Sequence, residues 1–298
     1  MTSPNIDSMQ ASVVLDCRQC LGESPVWDAR TATLYWANIH DAQVWAWDPS
    51  GTAAPRCYPL PERVGAIGLR EAGGLVIALA SAFALLDLDS GALARIADVP
   101  SPAPHTRLND GRVDPAGRFV CGGMNEQTPQ LPNARVYTLE RDHRVSATLD
   151  GIHCANSTCW SPDGATLYFS DMATRRIDAF DYDVATGAIS GRRPFATMQS
   201  AGAPDGSVVD AQGYLWNAQW GGAKVVRYRP DGTIDREIAL PVSHPTCVAF
   251  GGPDLDTLYI TTAWFLLDDA TRAREPHAGS LFAIKPGVRG LSEARYAG

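Results

Sequence analysis

Residues 203–220, APDGSVVDAQGYLWNAQW, decide the fold. A carboxylate, Asp205, precedes a short apolar run. A turn follows at Asp210-Ala211-Gln212-Gly213, and a second apolar run occupies 214–218. Two such runs around a tight turn predict a β-hairpin. The same design recurs along the chain. Residues 26–51 (VWDARTATLYWANIHDAQVWAWDPSG), 158–187 (TCWSPDGATLYFSDMATRRIDAFDYDVATG) and 207–232 (SVVDAQGYLWNAQWGGAKVVRYRPDG) each read strand, turn, strand, turn, strand, turn. Weaker copies run over 66–91, from 111 to about 145, and from 247 to about 286. A spacing of about 40–50 residues is the period of a propeller blade. Six copies predict an all-β, six-bladed β-propeller.

No amphipathic helix of three turns is evident, and no composition shift marks a domain boundary, so 1–298 is expected to be one domain. A leftover strand at about 12–18 is placed as the outermost strand of the last blade, closing the ring with chain from both ends. Polar insertions at 125–134 and 265–277 are expected to be rim loops over a pocket. A net charge of −8 argues against a nucleic-acid or anionic-membrane surface. No apolar run reaches spanning length. MTSPNIDSMQ (1–10) has neither a basic head nor an apolar centre, so no signal peptide is expected. Seven cysteines, an odd number without framework spacing, suit reduced thiols in a cytoplasm. Cys17-x-x-Cys20 lacks the second pair of a zinc site. A monomer or weak homo-oligomer is expected.

The repeat register selects the functional residues. The first inter-strand turns anchor at Asp28, Arg70, Asp114, Ser161, Asp210 and, across a one-residue insertion, Gly251. Five residues before each anchor stand Glu23, Gly65, Asn109, Asn156, Asp205 and Thr246. In a propeller such positions are related by rotation about the axis, so they form a ring at the channel mouth. Pro162-Asp163-Gly164 and Pro230-Asp231-Gly232 fall between strands and are turns. Pro204-Asp205-Gly206 looks alike but falls on the ring. Seven residues before the anchors lie Arg63, Arg107 and His244, on the same face because strand side chains alternate. These cations either bind a ligand or pair at the rim, and His153 beside Asn156 is open in the same way.

Two carboxylates and a carboxamide oxygen on one axis suit a hard divalent cation: calcium, magnesium or manganese, with zinc possible. Without one, Glu23 and Asp205 repel and one keeps its proton. An axial ion that only ties blades together is the structural alternative. With open positions, such an ion polarises a carbonyl and acidifies water. Asp205 is then placed to accept a proton from the attacking water. The chain has no G-x-S-x-G elbow and no phosphate-binding glycine loop.

The motifs LGESPVWD (21–28), RLNDGRVDPAGRF (107–119), ANSTCWSPDGATLYFSD (155–171), IDAFDYD (177–183) and PDGSVVDAQGYLWNAQWGG (204–222) resemble the regucalcin/gluconolactonase family, from about residue 13 to 286. The resemblance implies a six-bladed propeller with one divalent metal, and for many members hydrolysis of sugar lactones to aldonic acids. It implies Glu23, Asn156 and Asp205 as metal ligands, with Asp205 also the general base. It implies Arg107 and Asn109 as contacts to the substrate's hydroxyls and carbonyl. The family's third-blade strand commonly ends in GTM and acidic residues. Here it reads CGGMNEQ (121–127), which leaves either Glu126 or Gln127 in the substrate-contacting slot. The implied function is a metal-dependent lactonase acting on a small sugar lactone. A calcium-binding regulator without catalysis, and an aryl or phosphotriester esterase, are the alternatives.

Overall fold

The computed structural model describes residues 7–51, 53–100 and 102–298. The first six residues of MTSPNIDSMQ, read for a leader, lie outside the described residues. The described residues form six sheets, each built on four antiparallel strands, arranged as the blades of a β-propeller. Their innermost strands are Gly22–Asp28, Val64–Arg70, Thr106–Val113, Ala155–Trp160, Ala203–Val209 and Pro245–Gly251, in blades 1 to 6.

The 203–220 hairpin shows why these segments fold this way. Asp210 Oδ1 accepts hydrogen bonds from the Gln212 and Tyr214 amides at 2.9 and 3.1 Å, and Gly213 takes φ +81° to close the turn. Asp210 Oδ2 accepts from Trp216 Nε1 and from the Arg227 guanidinium. The anchor is therefore buried yet fully paired, as a buried carboxylate must be. Asp114 repeats the device with Arg118 and Tyr182, and Asp28 repeats it with Arg295. Apolar residues alternate onto the two faces of each blade and pack against the next. Trp216 meets Phe250 edge-on between blades 5 and 6, and Phe83 meets Phe119 between blades 2 and 3. Among the described residues an interface of this kind lies between each pair of neighbouring blades, and a smaller apolar cluster, Leu21, Ile39 and Ala263, lies at the rim.

Both chain ends act across blades. Ser12–Leu15 pairs antiparallel with Leu281–Ile284 as the outermost strand of blade 6. Just before it, Asp7–Gln10 runs parallel along Ile234–Ala239 on the edge of blade 5. At the other terminus, Arg295–Tyr296 adds in parallel to the inner edge of blade 2. The tail leading to it crosses the channel at the end opposite the ring. Gly290 N donates to Leu255 O at 2.8 Å and Ala211 N to Arg289 O at 2.9 Å, and just past the strand Ala297 N donates to Gly117 O at 3.0 Å. Sequence periodicity does not show this plug, because the tail is too short to be a repeat. The 265–277 insertion contains one short helix, Asp269–Arg274, capped by Asp268. No helix among the described residues is long and apolar enough to cross a membrane.

The plug is tied to the channel wall by Glu293 and Arg112, 2.8 Å apart and almost out of solvent. Removing one partner of a buried pair strands the other charge. Glu293→Ala should therefore cost about 3 kcal/mol, measured as a lower urea midpoint. An unchanged midpoint would mean that the tail does not brace the ring.

Candidate metal centre

Each innermost strand breaks its ladder register at the ring. The irregularities lie between Glu23 and Val26, Val64 and Ala66, Leu108 and Gly111, Asn156 and Cys159, Pro204 and Ser207, and Pro245 and Cys247. A bulge bends a strand and re-aims a side chain. Ser24 and Ser157 take left-handed φ values of 50° and 62° directly after Glu23 and Asn156. Their hydroxyls lock the kinks. Ser24 Oγ accepts from Ile67 N at 2.9 Å, and Ser157 Oγ donates to Asp205 O at 2.6 Å. Asn217 Nδ2 donates to the same carbonyl at 2.9 Å. Ser24, Ser157 and Asn217 carry no ligand chemistry in the sequence. Only the backbone geometry reveals their part.

Four ring positions converge on one cavity of about 170 Å³: Glu23, Asn109, Asn156 and Asp205. Two do not contribute. A Cβ at Gly65 would stand 2.5 Å from Leu108 O, so blade 2 approaches blade 3 too closely for a side chain. Thr246 turns its hydroxyl to Gly22 O at 2.5 Å and to Thr261 Oγ1. A larger hollow of about 520 Å³ lies between blades 1 and 2. Arg295 pairs with Asp28 in its wall, and its other acids, Asp48, Asp87 and Asp89, are exposed to solvent rather than buried.

Glu23 and Asp205 are 8% and 4% exposed, and their carboxyl groups are in hydrogen-bonding contact. Burial, then the charge of Asp110, raises the pKa of Glu23. Burial, then the charges of Glu23 and Asp110, raises that of Asp205 well above the usual carboxylate range. Asp110, next to Asn109 and buried, is a third acid; burial raises its pKa, and its Oδ2 accepts from Thr158 N at 2.8 Å. It is visible in RLNDG, but its place beneath the ring comes from the bulge. The arginines whose charge reaches these acids, Arg107 and Arg112, are committed to Glu126 and Glu293. Among the described residues no group of three or more His, Cys, Asp or Glu side chains gathers as a cage. The Asn109 and Asn156 carboxamides face the same cavity, and two buried carboxylates with a carboxamide oxygen are a donor set that would fit a hard divalent cation.

The cationic residues separate. Arg107 is buried; its Nη1 donates to Asn109 Oδ1 at 2.8 Å and its Nε to Glu126 Oε1 at 3.2 Å. Asn109 Nδ2 donates in turn to Ala155 O at 2.9 Å and to Asn156 Oδ1 at 3.4 Å. Glu126 stands at the rim between Arg107 and Arg63. Burial works to raise its pKa, but the hydrogen bond from Arg63 and the charge of Arg107 hold it below the ordinary value. Gln127 is exposed and bonds through its backbone to Asn125 Oδ1. His244 stacks on Trp220 with ring centroids 3.9 Å apart and faces the Phe265 carbonyl, so it buttresses the wall without reaching the ring. His153 Nδ1 lies 2.8 Å from Asp171 Oδ2. All seven cysteines are free thiols, Cys17 and Cys20 included.

Known proteins share this architecture. Over 97% of its length the chain is 41% identical to an L-arabinolactonase of Azospirillum brasilense, covering 96% of that protein. It is 39% identical to a 6-deoxy-6-sulfogluconolactonase of Pseudomonas putida, over 93% of this chain and 95% of the other. A crystal structure of regucalcin from Agrobacterium tumefaciens, described as a calcium-binding protein, superposes with a TM-score of 0.91 at 31% identity, covering 97% of this chain and 98% of that one. The family described as SMP-30/Gluconolactonase/LRE-like region matches residues 21–264, and the chain belongs to it.

Proposed function

We propose that this protein hydrolyses a sugar lactone to its aldonic acid with the help of one divalent cation. The observation that carries the proposal is the contact between two buried carboxyl groups, Glu23 and Asp205, facing a small cavity with two carboxamides. The relatives named as lactonases give the substrate class. Glu23, Asn156 and Asp205 would hold the ion. When bound, a divalent cation supplies charge that polarises the lactone carbonyl and acidifies water. Arg107 and Asn109 orient the sugar through its oxygens, with Glu126 accepting from its hydroxyls. Asp205 accepts a proton from the attacking water at its carboxylate and returns it to the ring oxygen as the ester C–O bond breaks. The net change is one water added across that bond. Nearby Cys154 is not a nucleophile, because burial, then the charge of Asp205, pushes its thiol up to about 12.

A panel of aldonolactones, assayed by proton release after chelation and re-addition of single ions, should show acceleration above the spontaneous rate only with an ion present. Acceleration confined to phosphotriesters would favour an esterase. Ion binding with no ester turnover would favour a calcium-binding protein, as the Agrobacterium relative is described.

Asp205→Asn should lower kcat by about a thousandfold while the far-ultraviolet circular dichroism stays that of the wild type. Near-normal turnover at saturating ion would contradict the role of Asp205.

Glu23→Gln separates the ion site from the chemistry. Without ion, the variant should melt no lower than wild type, because a buried like-charge contact is gone. Wild type should gain about 2.7 kcal/mol at an ion concentration one hundred times Kd, and the variant close to nothing. Equal gains in both proteins would place the ion elsewhere.

A further inference from the structure

Arg63 has no part in the scheme above, yet it is the outer end of a continuous chain of polar contacts. It stands just before Val64–Arg70, the innermost strand of the blade whose ring position is Gly65. Its guanidinium forks onto Glu126, Nη1 to Oε1 at 2.6 Å and Nη2 to Oε2 at 2.9 Å. The same Oε1 accepts from Arg107 Nε, and Arg107 Nη1 holds Asn109 Oδ1 and Leu108 O. Asn109 then reaches Ala155 O and Asn156 Oδ1. Blades 2, 3 and 4 are thus linked from solvent to the ring.

The fork is the informative part. A carboxylate beside a lone arginine favours a two-point contact with it. Because Arg63 occupies both oxygens of Glu126, Arg107 gives that carboxylate only Nε. Its Nη1 stays on Asn109, and its Nη2 makes no hydrogen bond among the described residues. Arg107 therefore keeps a donor for a ligand. The Arg63 and Glu126 side chains are 35% and 32% exposed, and an ion pair so placed contributes little to stability.

We propose that Arg63 is a positioning residue: by clamping Glu126 on both oxygens, it keeps Arg107 and Asn109 turned toward the hydroxyls of the bound sugar. This rests on the lactonase reading for the identity of the ligand. Loss of the clamp lets Glu126 rotate onto Arg107 and draw its guanidinium off Asn109. The consequence is weaker recognition of hydroxyl groups, with the ring and the fold unchanged.

The test compares wild type with Arg63→Met and Arg63→Lys, each loaded with ion. Kinetics are measured on gluconolactone and on δ-valerolactone, the same ring without hydroxyls. Calorimetry measures binding of 1,5-anhydroglucitol, a cyclic polyol with no carbonyl to attack. Arg63→Met should raise KM for gluconolactone about tenfold and weaken polyol binding by a like factor, the loss of roughly one charge-assisted contact. Its kcat, its melting temperature and its action on δ-valerolactone should match wild type. Arg63→Lys should fall between, since an ammonium cannot fork. Unchanged KM and polyol affinity would overturn the proposal, as would an equal loss on both lactones or a wild type that binds no polyol. A wild type that binds the polyol but opens neither lactone would end the lactonase reading alone. The clamp would then stand or fall on whether Arg63→Met weakens the polyol.

Discussion

Two acids held against each other in a place water hardly reaches are the constraint on which the rest depends. Glu23 and Asp205 come from blades 1 and 5, which are not adjacent, and meet only because the ring closes. Isolated in a low-dielectric channel, that contact opposes folding, since among the described residues neither carboxylate has a cationic side chain of its own. The chain sustains it with six interfacial cores and with a terminal strand that seals the last blade. A tail braces the opposite end of the channel. Strain kept in an active centre and supported by surrounding structure is what a preorganised binding site requires.

Rotational repetition made much of this readable in the residues. Hairpins at a steady period gave the blades. A fixed offset from each turn brought Glu23, Asn109, Asn156 and Asp205 to one mouth, while the look-alike Asp163 and Asp231 stayed in surface turns. The offset worked because each inner strand repeats the same bulge, which an even alternation of side chains does not reveal. Gly65 and Thr246 satisfied the offset and carry no ligand. A glycine has nothing to offer there, and a threonine hydroxyl found nearer partners in Gly22 and Thr261. Asp110 was quoted in a motif but not weighed, because its side chain lies on the channel face only after the kink at Asn109. Asn217 and the channel plug lie beyond sequence reasoning of this kind: one acts through a backbone carbonyl, the other has no counterpart in any repeat.

Rim and axis are chemically distinct. On the axis, acids outnumber cations and burial strengthens every charge. At the rim, Arg63 and Arg107 share Glu126 where solvent still screens them. This division suits a reaction in which charge develops at the axis while orientation is set around it.

In the function proposed above, an ion at the axial acids would be what makes the lactone carbonyl reactive. The most direct test is to titrate fully chelated protein with calcium, manganese or zinc, and to follow bound ion and lactone turnover in the same samples. Turnover should rise in proportion to occupancy and level off at one ion per chain. Full turnover at zero occupancy, or occupancy that saturates without any turnover, would contradict a catalytic role for the ion.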